Sequence, residues 1–140
     1  MEVAGNTPVL VSAGQVVDRL DENWEKLGPA DMAAKAVSEV LASTAVADIG
    51  SYVDRVMVMR TFVDSVPDRL KSRLAPFGLS TKFARSVAAR AGLDHAAAHY
   101  ATAGGQSPQQ YTAKACRAIA SGEARAIVLC GAEATGTMRA

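Results

Sequence analysis

An α/β fold is expected of this sequence: a mostly parallel sheet with helices on both faces, in the order strand, helix, strand, helix, strand, helix, strand. Three observations predict it. Apolar runs that do not alternate, typical of strands covered on both sides, occur at 8–17, 53–62 and 126–134. Between them lie segments whose apolar residues recur at helical spacing. Strands and helices that alternate along a chain give parallel strands joined by right-handed crossovers. A chain of 140 residues is long enough for one domain with a real core, burying roughly 68% of its unfolded surface.

Taken in order, Pro8 to Val17 (PVLVSAGQVV) reads as a central strand. A polar loop, Asp18 to Asn23, follows, and Gly28-Pro29-Ala30 opens a helix with Asp31 in its first turn, at the favourable end of the dipole. That helix should run to about Ser43. Met32, Ala33, Ala36, Val37, Val40 and Leu41 form its inward face, while Lys35, Ser38 and Glu39 point away. Val53 to Phe62 is the second buried strand. The connection after it is broken by Pro67, Pro76 and Gly78 and is expected to be mostly irregular. A second helix begins near Ser80 or Thr81, buries Phe83, Val87 and Ala88, and stops at Gly92. His95 to Ala103 (HAAAHYATA) reads as a third strand of small residues, although propensity alone favours helix. Pro108 suits the first turn of a third helix, Gln109 to Ser121, which Gly122 ends. AIVLCGAEA, from Ala126, is the fourth strand.

Composition narrows the function. With 49% hydrophobic and 21% charged residues the chain is an ordinary globular one. Fifteen basic against 14 acidic residues leave a net charge of +1, so no long-range field gathers nucleic acid or anionic lipid. The one basic run, Arg69, Lys71 and Arg73, reads as a solvated loop. No stretch approaches the roughly 20 apolar residues that span a bilayer. Two cysteines, Cys116 and Cys130, are too few for a disulfide scaffold and lie in no zinc-ligand spacing, so a cytoplasmic location with reduced thiols is expected. Both are expected to behave as small core hydrophobes. His95 and His99 would face one side of a strand, but with no third ligand in view no metal site is expected. Trp24, the single tryptophan, either meets a partner or covers the first helix.

Chemistry concentrates at Ala103 to Pro108. Here a strand hands over to a helix, whose unpaired first-turn amides can hold an anion or sharpen a thiol. Gly104, Gly105, Gln106 and Ser107 are the candidate ligand loop. A tight turn alone also explains the two glycines. Ser107 would need a base to act as a nucleophile, and none is evident nearby, so its expected role is to cap the helix.

The segment GQSPQQYTAKACRAIASGEARAIVLCGAEAT resembles the thiolase superfamily, in which a nucleophilic cysteine opens a helix in the form C-x-S-G-L-Q-A, followed by A-I-x-x-G-E-A and a strand ending G-G-x-E. Counting back from Ala118-Ile119-Ala120-Ser121-Gly122-Glu123-Ala124, the cysteine falls on Gly105, the serine on Ser107, the glycine on Pro108 and the glutamine on Gln110. Gly131-Ala132-Glu133 fits the strand end. PVLVSAGQVV is similar to the family's first strand, and DRVMVMRTFVDSVP with PFG is similar to an acetyl-CoA acetyltransferase-like subgroup. The resemblance spans nearly the whole chain and implies the N-terminal half-domain of an acyl-CoA acyltransferase of lipid metabolism, with a coenzyme A thioester as substrate and no other cofactor. It also implies that the half-domain is incomplete, without a fifth antiparallel strand, a loop domain and a C-terminal half. That second half carries the family's N-E-A-F and G-H-P histidines and second cysteine, and none of these motifs is present here. With Gly105 at the nucleophile position no acyl-enzyme can form, so no catalytic residue is assigned. Family members pair through the third strand, here His95 to Ala103. A dimer, or a companion chain supplying the second half, is therefore implied. A non-catalytic acyl-CoA- or lipid-binding or scaffold subunit, or a truncated gene fragment, are the other readings.

Overall fold

Val56 and Val58 lie on one face of a strand and Met57 on the other, and all three are buried. Such a strand needs cover on both sides, and the structure, a computed structural model that describes residues 4–139, places it at the centre of a three-stranded parallel sheet. The strands are β1 (Val53–Val58), β2 (Ala97–Tyr100) and β3 (Ala126–Cys130), in the order β2-β1-β3. The register sets Met57 beside His99 and Leu129, and Val58 beside Tyr100 and Cys130.

Helices α1 (Pro29–Ala42) and α3 (Phe83–Arg90) pack together on one face. Val37, Phe83 and Val87 meet Val53, Val56 and Val58 there, each burial contributing about 1.5–3 kcal/mol. Helix α4 (Ser107–Ala120) covers the opposite face, where Tyr111 and Ala115 close over Met57 and Ala101. Two short α-helices, α2 (Asp68–Leu74) and α5 (Thr135–Arg139), and two 3-10 turns, Ile49–Tyr52 and Val63–Ser65, complete the elements among the described residues. No helix among the described residues is long and apolar enough to cross a membrane.

One irregularity makes the core possible. Val53 and Val56 are three residues apart, so a regular strand would send them to opposite faces. Both belong to the same cluster because the β1–β3 register shifts between Val53 and Arg55. Asp54, at the shift, takes a two-pronged grip from Arg125, with Nη2 at 2.6 Å and Nε at 3.2 Å, and accepts the Arg125 backbone N–H at 2.7 Å. These bonds hold the Asp54 carboxyl down at about 2. A carboxyl depressed on folding stabilises the fold above its ordinary range and loses that contribution as pH falls toward its folded value. Asp54→Asn is therefore expected to flatten the loss of stability between pH 4 and pH 2, as read by urea unfolding at each pH.

Helix stops follow the sequence closely, whereas α3 begins at Phe83 after Lys82 and not at Ser80 or Thr81. Gly92 and Gly122 adopt left-handed φ of 72° and 77°. Each closes its helix with the same pair of bonds: Gly92 N–H to Ala89 and Leu93 N–H to Ala88, then Gly122 N–H to Ile119 and Glu123 N–H to Ala118. Helix α1 begins after Gly28 with Pro29 in its first turn and buries Ala33, Ala34 and Val37, while Ser38 and Glu39 are exposed.

Three expectations are corrected. Pro8 to Val17 is not a strand: β1 pairs directly with β2 and β3, leaving no central place for it. The segment instead passes from the C-terminal end of α4, where Asn6 Nδ2 donates to the Ala120 carbonyl, to the end of α1, where Ser12 and Ser43 hydroxyls meet at 3.0 Å. Its Val9 and Leu10 are 70% and 87% exposed. The connection after β1 is less irregular than expected, because DRLKSRL forms α2. Asp68 sits at its favourable end, paired with Lys71 at 2.8 Å, so the basic run lies on a helix with no buried residue. Four strands were expected and three form.

Candidate functional site

Successive crossovers on opposite faces of a parallel sheet open a crevice at the carboxyl ends of the two strands between which the chain changes side. Here β1 is followed by α3 on one face and β2 by α4 on the other. The crevice therefore lies beyond Val58 and Tyr100. It is bordered by Met59 to Phe62 on one side and, on the other, by Ala101 to Gln106, which includes Gly104, Gly105 and Gln106 of the expected ligand loop, while Ser107 opens α4.

The loop is fixed from the first turn of α4. Ser107 is 3% exposed, and its hydroxyl donates to the Thr102 carbonyl at 2.6 Å. Tyr111 Oη accepts the Thr102 N–H at 3.3 Å and lies 3.3 Å from His99 Nε2. Ser107 is thus the first helical residue and not the N-cap, a place taken by Gln106. Its hydroxyl goes to the Thr102 carbonyl, and Pro108 stands at the second helical position, where its missing N–H is still one that the helix leaves unpaired.

The glycines differ. Gly104 has φ of 135°, a backbone conformation that strains any residue with a Cβ, so that position favours glycine; the Gln106 side-chain tip beside it could move aside. Gly105 has no such need: a Cβ added there meets nothing within 4 Å. The position that the resemblance aligns with a nucleophile is sterically open. Gly131, at the end of β3, allows close approach of β1, since a Cβ there would meet Met59 Cβ at 2.9 Å. Glu133, two residues on, accepts the Phe62 N–H at 2.6 Å, and burial pushes its carboxyl above the usual range.

Across the crevice lies a network that sequence reading missed. Tyr100 Oη donates to Asp64 Oδ2 at 2.6 Å and accepts the Thr61 N–H at 3.1 Å. Burial, and then the Asp64 hydrogen bond, raise the Tyr100 phenol. The Arg60 guanidinium lies 4.7 Å from the Tyr100 ring centroid while its Nε donates to the Ala101 carbonyl. An arginine two residues beyond the end of a buried strand was the available signal for a site.

Other candidates part company. His95 is exposed ahead of β2, whereas His99 turns to Tyr111, and no group of three metal-ligating side chains occurs among the described residues. Trp24 is half-buried, with Lys26 over its ring and no acceptor for its indole N–H. Cys116 is exposed, contrary to the core role expected, because α4 turns Tyr111, Ala115 and Ala118 inward and Cys116 away. Cys130 is half-buried, and desolvation pushes its thiol up to about 12. A thiol reagent at pH 7 should therefore modify Cys116 in the native protein and Cys130 only in denaturant, because a group with that pKa is ionised in about 1 molecule in 100,000. Peptide mapping after pulse alkylation checks this.

No protein-family model matches the chain, and no curated protein or solved structure matches it.

Proposed function

We propose that this chain is the N-terminal half-domain of a thiolase-like acyl-CoA acyltransferase that binds an acyl-CoA thioester but, with Gly105 at the nucleophile position, does not transfer the acyl group by itself. One observation carries the reading. The Gly104–Gly105 loop hands β2 over to α4 in the crevice where the crossovers change side, with open space around Gly105. A helix start in that place stabilises negative charge developing on a thioester oxygen. Without sulfur, no covalent bond to the acyl carbon can form there.

A companion segment or chain belongs to this reading. On the α4 side of the sheet a groove remains between α4 and β2, floored by Met57 and Ala97 and edged by Lys114 and Arg117.

Calorimetric titration of the 140-residue chain with CoA and acetyl-CoA tests the proposal. Saturable heat without release of free CoA is expected. No heat from either compound rejects the ligand assignment, and an acetyl adduct on residues 100–112 rejects the non-catalytic one.

A further inference from the structure

We propose that the cleft between β1, β2 and α2 is a binding site for a monovalent carboxylate with a short apolar tail, anchored by Arg60; the proposal needs neither Gly105 nor a thioester. The cleft is open to solvent and offers about 560 Å³ beside the carboxyl ends of β1 and β2. Four charged side chains line it, Arg60 and Lys71 against Asp64 and Asp68, and three of them are already engaged. Lys71 Nζ is paired with Asp68 at 2.8 Å, and Asp64 accepts from Tyr100 at 2.6 Å. Arg60 forms no ion pair among the described residues, and its only hydrogen bond there leaves from Nε, toward the Ala101 carbonyl at 3.2 Å. Its two terminal nitrogens are free.

Those nitrogens are held ready. The guanidinium lies over the Tyr100 ring, and the ring is fixed by Asp64, by the Thr61 backbone and by Phe83, whose centroid is 5.4 Å away. Thr61, 4% exposed, locks the floor, with its hydroxyl 3.3 Å from Tyr100 Oη. Arg60 is exposed, and a planar guanidinium with two free N–H groups, stacked on a fixed ring, is matched to a carboxylate. Charge sets the valence. Two cations and two anions already sum to zero, so a bound monoanion on Arg60 leaves the cleft one charge negative, and a dianion would leave it two charges negative beside Asp64 and Asp68. Phosphate dianions are disfavoured on that ground. Leu79 and Phe83 on the same wall accept an apolar tail.

NMR titration of the full chain with sodium hexanoate, hexanol and inorganic phosphate tests the site. Hexanoate should shift the Tyr100, Phe83 and Leu79 signals saturably, and hexanol and phosphate should not at equal concentration. Arg60→Gln should weaken hexanoate at least tenfold, and Arg69→Gln, outside the cleft, should leave it unchanged. Equal shifts with hexanol, stronger binding of phosphate, no saturation, or an unaltered Arg60→Gln titration each overturn the proposal. The hexanoate-to-hexanol comparison on the unsubstituted chain decides the matter even if Arg60→Gln fails to fold.

Discussion

Replacing Leu93 with alanine is expected to lower the unfolding free energy by about 3 kcal/mol, within the 2–5 kcal/mol typical of buried leucines. Leu93 is 2% exposed and belongs to the cluster formed by α1, α3 and β1. It also follows Gly92, and its N–H closes α3 on the Ala88 carbonyl, so one residue both ends the helix and fills the core beneath it. A domain has only about 5–15 kcal/mol of stability in total, so the loss should move the thermal midpoint by about 10 °C. Urea unfolding followed by circular dichroism is the measurement, with an unchanged denaturant slope. A loss under about 1 kcal/mol would show that the α3–β2 turn collapses into the space and is not anchored by this side chain.

Gly105→Cys is the second large effect, and it is chemical. Since an added Cβ has free space and Gly105 is not among the residues with positive φ, the substitution should cost less than about 1 kcal/mol. The new thiol would stand just before the Gln106 cap of α4, where first-turn amides favour a thiolate. At pH 7 it should be alkylated several-fold faster than Cys116, which sits mid-helix on the exposed side of α4. Site-resolved mass spectrometry after timed iodoacetamide treatment measures both rates in one sample. Equal rates would mean that the loop does not bring position 105 under the influence of the helix end.

Much of the fold was legible because local chemistry settles it. Gly92 and Gly122 sit where only a left-handed residue closes a helix, and Pro29 and Pro108 sit where a missing N–H does no harm. The strand-to-helix junction at Gly104 to Gln106 was legible for the same reason, whereas the cap expected of Ser107 was not what formed. Pairing partners are different. Nothing in PVLVSAGQVV says which strand it would join, and β1 fills both of its sides with β2 and β3. Proline flanks disguised α2, whose Asp68–Lys71 pair is internal to the helix and easily read as loop charge. Tyr100, Asp64 and Arg60 escaped notice because they come from segments separated by 36 and 40 positions and meet only through the β1–β2 register. Cys116 was misplaced because alanines on several sides of α4 blur which face turns inward.

The bare stretch from Pro8 to Val17 governs how the protein should behave in a test tube. It carries no charge, and the outer strands of the sheet present backbone groups that a neighbouring molecule can reach. Uncharged, branched sequences beside open sheet margins seed fibrils and gels. Leu10→Lys, at the most exposed large apolar side chain of the stretch, should raise the concentration at which turbidity begins and leave the thermal midpoint where it was. Light scattering on concentrated samples makes the comparison.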